Sequence, residues 1–277
     1  MLFSVDFCAY HLALQPGCQS QQTEITQPFS GQVSRTGHLR QGKGAFGMTT
    51  FVLVHGAWHG GWCWQRVVPL LESAGHAATS PTLTGLAERV PQLSRDITLE
   101  THVADIVNHV RGLARPNVTL VGHSYGGFPA TVAADRLGDL VSHLVLLDAF
   151  LPEDGEMLLD HASHLIEPYR ASAVTDPDWH IPPLPSVVFG VGKEDQPWVD
   201  SLLTPQPVGS YFQPATLRGT FAVARKTYIR CSQANGELLG KSVARAREGQ
   251  GWRYIEIDAG HDAMITHARL LADALMS

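Results

Sequence analysis

Cysteine is sparse in this 277-residue chain, and Cys8, Cys18, Cys63 and Cys231 stand far apart. They form no CxxC pair and no metal-ligand spacing, so the cysteines offer neither a redox motif nor a zinc site. Scattered thiols of this kind read as free cysteines in a reducing compartment, and the cytoplasm is the expected location. No apolar run approaches the roughly 18 to 20 residues needed to span a bilayer. The opening MLFSVDFCAYHLAL carries Asp6 and no Lys or Arg, so it lacks the positive region of a secretory signal. Basic charge is also in short supply. With 20 Lys and Arg against 26 Asp and Glu the formal charge is −6, which argues against a nucleic-acid partner.

What is present is apolar material, 44% of the chain, enough for a sizeable core in one α/β domain. Residues 1–47 do not share in it. They are rich in Gln, Ser and Gly and show neither helical nor strand periodicity, so this stretch is expected to be a disordered or non-native extension. At Met48 the character changes, with MTTFVLVHGAWHGGW opening a buried strand. Residues 48–277 are therefore expected to form a single domain.

Within it, apolar runs at 51–55, 77–80, 118–122, 143–148, 227–231 and 253–257 read as strands. Helix-like stretches at 61–74, 99–113, 126–137 and 266–276 lie between and after them. The alternation predicts βαβ units and a doubly wound, mostly parallel sheet, and runs such as FVLV and LVLL suit strands covered on both faces. The rhythm breaks at about 150–222, where WHIPPLPSVV, TPQPVG and YFQP crowd prolines among aromatics. Proline is poorly accommodated inside helices and central strands, so this region is expected to be a cap inserted over the sheet edge. No internal repeat is apparent.

Gly122-His123-Ser124-Tyr125-Gly126 is a G-x-S-x-G pattern directly after one predicted strand and before a predicted helix. In that setting the turn lifts a serine hydroxyl over the sheet, with helix N–H groups facing any developing negative charge. A serine needs a base, and His261, in the loop after the last predicted strand, occupies the right place. His123 is nearer in sequence, but side chains flanking the turn point away from its apex, so it is expected to be a packing residue. The acid has two candidates. Asp148 ends an apolar strand, where an unpaired buried carboxylate is costly and an imidazole partner would supply the reason. Glu237 is the only carboxylate in YIRCSQANGELL, the loop after the penultimate strand. The N–H groups of Ala57 and Tyr125 are the expected oxyanion donors. Trp58, Phe128, Phe150, Trp179 and Phe212 are candidates to line an apolar substrate pocket, each with ordinary packing as the competing role. His55 and His59 have no acidic neighbour in sequence to complete a metal site, and His161 with His164 lacks the glutamate of a zinc-protease helix, reading as surface or cap.

With these pieces in order, the chain resembles the α/β-hydrolase superfamily from Thr50 to Ser277. FVLVHGAWHGGWCW, GHSYGG and LLDAFLPEDG look like its plant methylesterase and hydroxynitrile lyase branch and the bacterial esterase relatives. The resemblance implies a cofactor-free, metal-free enzyme cleaving small, often aromatic esters, or a methyl carbamate or amide. It matches Ser124 and His261 to that family's nucleophile and base, and the Ala57 and Tyr125 amides to its oxyanion hole. The plant enzymes carry their aspartate near Ala234 of this chain, and the lyases add a lysine there; Lys241 lies several residues on, which disfavours lyase activity. The expected partner is a small-molecule ester, with no nucleic acid and no membrane, and oligomeric state is left open, a homodimer included. A non-catalytic small-molecule receptor and a cofactor-independent oxygenase are the rival readings.

Overall fold

The computed structural model describes residues 48–218 and 223–277. The expected N-terminal extension, 1–47, lies outside the described residues, as do positions 219–222 of the expected cap. The chain runs β1 (Thr50–Val54), α1 (Val68–Ser73), β2 (Ala77–Thr79), α2 (Leu99–Gly112), β3 (Val118–His123), α3 (Gly127–Leu137) and β4 (Val141–Leu147). It continues through α4 (Ile166–Thr175), β5 (His180–Ile181), α5 (Gln196–Leu202), β6 (Gln206–Pro207) and α6 (Gly209–Phe212). It returns to the sheet with β7 (Arg225–Cys231), α7 (Gly240–Glu248) and β8 (Trp252–Ile257), then ends in α8 (Ala263–Thr266) and α9 (Ala268–Leu275).

Six strands form one parallel sheet in the order β2-β1-β3-β4-β7-β8. Period-2 side-chain alternation divides the core between its two faces. Val52, Val54, Leu120, Leu144, Leu146 and Tyr228 pack on one side with α2 and α3. Phe51, Leu53, Val121, Val145, Leu147 and Ile229 pack on the other with α1 and α9. Both faces are thus covered, which is why the strands read as unbroken apolar runs.

Two predicted helices are shorter than their periodicity suggests, each for a local reason. The stretch 61–74 begins with a short 3-10 turn at Gly61–Trp64, and α1 starts only at Val68, because Pro69 is tolerated just in a first helical turn. The last helix is split at His267, whose φ of −132° leaves the helical region and separates α8 from α9. By contrast α2 starts as a capping box, with Thr98 and Thr101 each satisfying the other's backbone N–H.

The connection from β4 to β7 carries α4, α5, α6 and a small antiparallel pair, β5 with β6. Parallel strands in this order reverse direction of winding at β1 and β3, and a crevice opens beyond the carboxyl ends of the strands at such a switch point. His55, Ser124, Asp148 and His261 all follow the carboxyl ends of strands of this sheet, β1, β3, β4 and β8.

Candidate active site

Ser124 follows β3 with φ of 52°, a left-handed conformation that costs a non-glycine residue roughly 1–2 kcal/mol. The tight turn survives because glycines flank it. A Cβ on Gly126 would stand 2.4 Å from the His55 carbonyl oxygen, and one on Gly122 would stand 2.7 Å from that of Gly126. Outside the turn, the Phe150 N–H donates to the Ser124 carbonyl at 3.1 Å. Tyr125 is buried, and its hydroxyl donates to His102 Nδ1 at 2.6 Å, since the opposite nitrogen, Nε2, gives its proton to the Thr84 carbonyl at 2.9 Å.

Asp148 also sits at positive φ, 42°, directly after β4, and is fully buried. Its Oδ2 accepts from His261 Nδ1 at 2.6 Å. The other oxygen accepts from the Arg230 guanidinium and from the Cys231 N–H at 3.2 Å. Burial works to raise the Asp148 pKa, but the His261 and Arg230 interactions outweigh it and hold the carboxyl below its ordinary range. Glu237, the alternative acid, is exposed at the start of a short turn and bonds through its N–H to Asn235 Oδ1 at 3.2 Å.

Arg230 has no place in the sequence reading. Its one signal is a charged side chain between the apolar Ile229 and Cys231 at the end of β7. The loop that follows wraps around it. Ala234 offers its carbonyl to Nη2 at 2.7 Å, and a Cβ on Gly236 would fall 2.3 Å from that nitrogen. Where the plant relatives were expected to keep an acid, this chain builds a seat for a cation that grips Asp148 from the neighbouring strand.

The first loop faces Ser124 closely, with a Cβ on Gly56 reaching to 2.9 Å of the Ser124 Cβ. His55 is neutral there for geometric reasons. Its Nε2 accepts from the Leu83 N–H at 3.1 Å, so Nδ1 carries the proton, which it donates to the Gly56 carbonyl at 2.8 Å. Burial pushes its pKa down to about 3. The Gly56–Ala57 peptide is planar and trans, so holding its carbonyl toward His55 aims the Ala57 N–H away from His55. With both ring nitrogens of His55 and of His59 engaged by protein groups, neither is free to ligate a metal.

Ala57, Trp58, Ser124, Phe189, His261 and Asp262 are among the walls of one cavity. Among the described residues the Ser124 hydroxyl makes no hydrogen bond to His261, and the two side chains face each other across this space. Trp58 alone of the five expected pocket aromatics lines it. Its indole Nε1–H donates to the Ile181 carbonyl of β5 at 3.2 Å, tying the wall to the β4–β7 connection. Phe128 is buried in α3 and Phe150 packs on His161, while Trp179 and Phe212 stack on each other at 5.3 Å. Phe189, which no sequence pattern marked, takes their place, stacked on Trp58 at 5.8 Å. His123 lines the cavity instead of turning away; its Nε2–H donates to the His261 carbonyl at 3.0 Å, and the two rings lie 4.6 Å apart. His161, read as surface or cap, has a fully buried side chain, whereas His164 is exposed.

A serine raised on a strained turn and an imidazole held by a buried carboxylate beside one cavity are parts of a nucleophilic hydrolase site. The chain belongs to the alpha/beta hydrolase family, whose model matches residues 51–274. It is 34% identical to a carbendazim hydrolyzing esterase of a Nocardioides species, over 82% of this chain and 98% of that one. It is 37% identical to Methylesterase 2 of Arabidopsis thaliana, over 47% of this chain and 48% of the relative. An extracellular alpha/beta-hydrolase from a Paenibacillus species superposes with a TM-score of 0.69 at 18% identity, covering 82% of this chain and 99% of its own, and shares the fold. No helix among the described residues is long and apolar enough to cross a membrane.

Proposed function

We propose that this chain is a serine ester hydrolase whose nucleophile is Ser124, whose base is His261 and whose acid is Asp148. Ser124 Oγ attacks the substrate carbonyl carbon while His261 takes the hydroxyl proton. The oxyanion so formed accepts from the Ala57 and Tyr125 N–H groups. The carbon–oxygen bond to the alcohol then breaks, His261 returns the proton to the leaving alcohol, and Ser124 is left acylated. Water, deprotonated by the same imidazole, releases the acid and regenerates the serine. Asp148 keeps the proton of neutral His261 on Nδ1, so that Nε2 is the basic nitrogen, and it stabilises the imidazolium.

The observation that carries this reading is the 2.6 Å contact between Asp148 and His261 beside a serine in the left-handed turn conformation. The relative named for carbendazim hydrolysis supports carbamates as substrates beside apolar or aromatic methyl esters. Residues 48–277 act as one hydrolase domain, with about 150–222 as its cap and 1–47 as an extension. Cys63 and Cys231, buried and unpaired, support a reducing compartment, the cytoplasm.

The test is hydrolysis of a panel of short-chain esters, aromatic methyl esters and carbendazim by the full chain and by Ser124→Ala. Turnover by the first, lost in the second, is the expected result. Tight ligand binding without turnover, or oxygen consumption that survives Ser124→Ala, would replace the hydrolase reading with a receptor or an oxygenase.

A further inference from the structure

Behind the cavity, a second histidine and a second aspartate meet, and the reaction as described uses neither. His59 Nδ1 lies 2.7 Å from the Ala57 carbonyl oxygen and Nε2 lies 3.1 Å from Asp262 Oδ2. Their side chains are 2% and 0% exposed, so the pair is shielded from bulk solvent. We propose that His59 and Asp262 form a buried, permanently charged pair that clamps the oxyanion loop to the loop carrying His261, making His59 a positioning residue for the Ala57 N–H. The inference rests on the reading of Ala57 as an oxyanion donor.

A count of protons carries the argument. The Ala57 carbonyl can only accept, so Nδ1 must hold a proton. The histidines around Asp262 hold its carboxyl ionised against the effect of burial, and a carboxylate only accepts, so Nε2 must hold a proton too, which makes the ring an imidazolium. The surroundings suit a cation. The Trp62 ring stacks at 5.3 Å and 25° to the imidazole plane, and Phe189 meets its edge at 5.7 Å. The other ionisable groups facing the pair are His55 and Cys63 from the first loop, His123 from the end of β3, Cys231 from the end of β7, and His261 beside Asp262. Burial disfavours charge on His59, yet Asp262 and the Ala57 carbonyl raise its pKa above the ordinary value. Burial likewise opposes the Asp262 carboxylate, and His59 lowers its pKa in turn.

The clamp bears on the chemistry through the backbone. His55 holds the carbonyl of the peptide before Ala57, and His59 holds the carbonyl of the peptide after it. With both flanking peptides pinned, Ala57 has no freedom to turn its N–H out of the cavity. Asp262 in turn follows His261 directly and donates its own N–H to the Phe189 carbonyl at 3.1 Å, so oxyanion donor and base are referred to one rigid point. A donor fixed before the reaction need not be ordered during it, and small displacements of such groups are costly in rate.

The test uses the full chain labelled with nitrogen-15 at histidine, with His59 assigned by its loss in His59→Gln. Both His59 ring nitrogens are expected to carry protons from pH 6 to about 8. Asp262→Asn keeps the shape and lets the new amide donate to Nε2, so His59 becomes neutral without an empty partner. In that variant kcat per active site, counted by the acylation burst with a nitrophenyl ester, is expected to fall about 10- to 100-fold with KM nearly unchanged, less than the loss of a donor outright. A merely structural role would lower the number of active sites and leave kcat per site alone. A His59 ring with a bare nitrogen at pH 8 in the parent chain, or an unchanged kcat per site in Asp262→Asn, would overturn the proposal. Failure of the hydrolase reading shows separately, as turnover indifferent to Ser124→Ala, and leaves the nitrogen-15 result standing.

Discussion

Asp148 and His261 lie 113 residues apart and belong to loops after strands two places apart in the sheet, yet they meet at 2.6 Å. The carboxylate reaches the imidazole across the end of β7, the strand between them. Asp148→Asn keeps the shape but lets the base adopt the wrong tautomer, and kcat is expected to drop by about 10³- to 10⁴-fold. Glu237→Gln, on an exposed turn away from His261, is expected to leave kcat as it was. Steady-state kinetics on one good ester compares the two, and the opposite ranking would move the acid to Glu237.

Arg230 is mostly buried beside a fully buried carboxylate, so removing it strands a charge. Arg230→Met is expected to cost on the order of 3 kcal/mol in urea denaturation at pH 7. Arg230→Lys should recover part of that, because it restores the charge without the planar fork that also reaches Ala234. The Asp148 pKa is lowered in the folded state, so its contribution is complete above the ordinary carboxylate value and is lost as pH falls through the folded value. The stability gap between parent and Arg230→Met should therefore close toward strongly acid pH. A gap that stays constant would show that Arg230 acts by packing alone.

Three buried histidines set an acid limit to the fold. Burial depresses His55 and His123 to about 3 and His102 to about 4. Between those values and the ordinary 6.5 the unfolded chain binds protons that the folded chain refuses, so stability falls as pH is lowered through that window. His59 has the opposite sign, its contribution being full below 6.5 and lost only as pH rises through its higher folded value. Urea midpoints are expected to drop from pH 6.5 to pH 4. His102→Gln, whose amide can still accept from Tyr125 and donate to Thr84, should flatten that slope. A midpoint independent of pH in this range would contradict the assignment.

Gly126→Ala puts a methyl group 2.4 Å from the His55 carbonyl, a backbone atom with no rotamer to escape into. The variant is expected to lose about 1–3 kcal/mol and to lose activity out of proportion, because the first loop and the serine turn are forced apart. Comparing Tm with kcat/KM checks this. Full activity in a stable Gly126→Ala protein would mean that the two loops need not touch.

Much of this architecture is written locally. The apolar runs, their alternation with helices and the glycines around Ser124 act over a few residues, and such patterns can be read along one dimension. The strand ends differ from expectation by a residue or two, and the helix at 61–74 shortened because Pro69 imposes its own rule. Ser124 and His261 were visible for the same reason, each occupying a recognisable place relative to its own strand.

The rest depended on which strands became neighbours. Asp148 and Glu237 are both single carboxylates in plausible loops, with the apolar strand before it favouring Asp148, and the strand order β4-β7-β8 buries that one against His261 and leaves the other in water. Arg230, Phe189 and the His59–Asp262 pair carry no motif, because their meaning lies in partners far away in the chain. The sequence by itself determined the secondary-structure rhythm, the serine turn and the family. Tertiary structure alone decided which carboxylate meets His261, which aromatics wall the cavity and which partners hold His59, since burial and pairing of ionisable groups are properties of the folded interior.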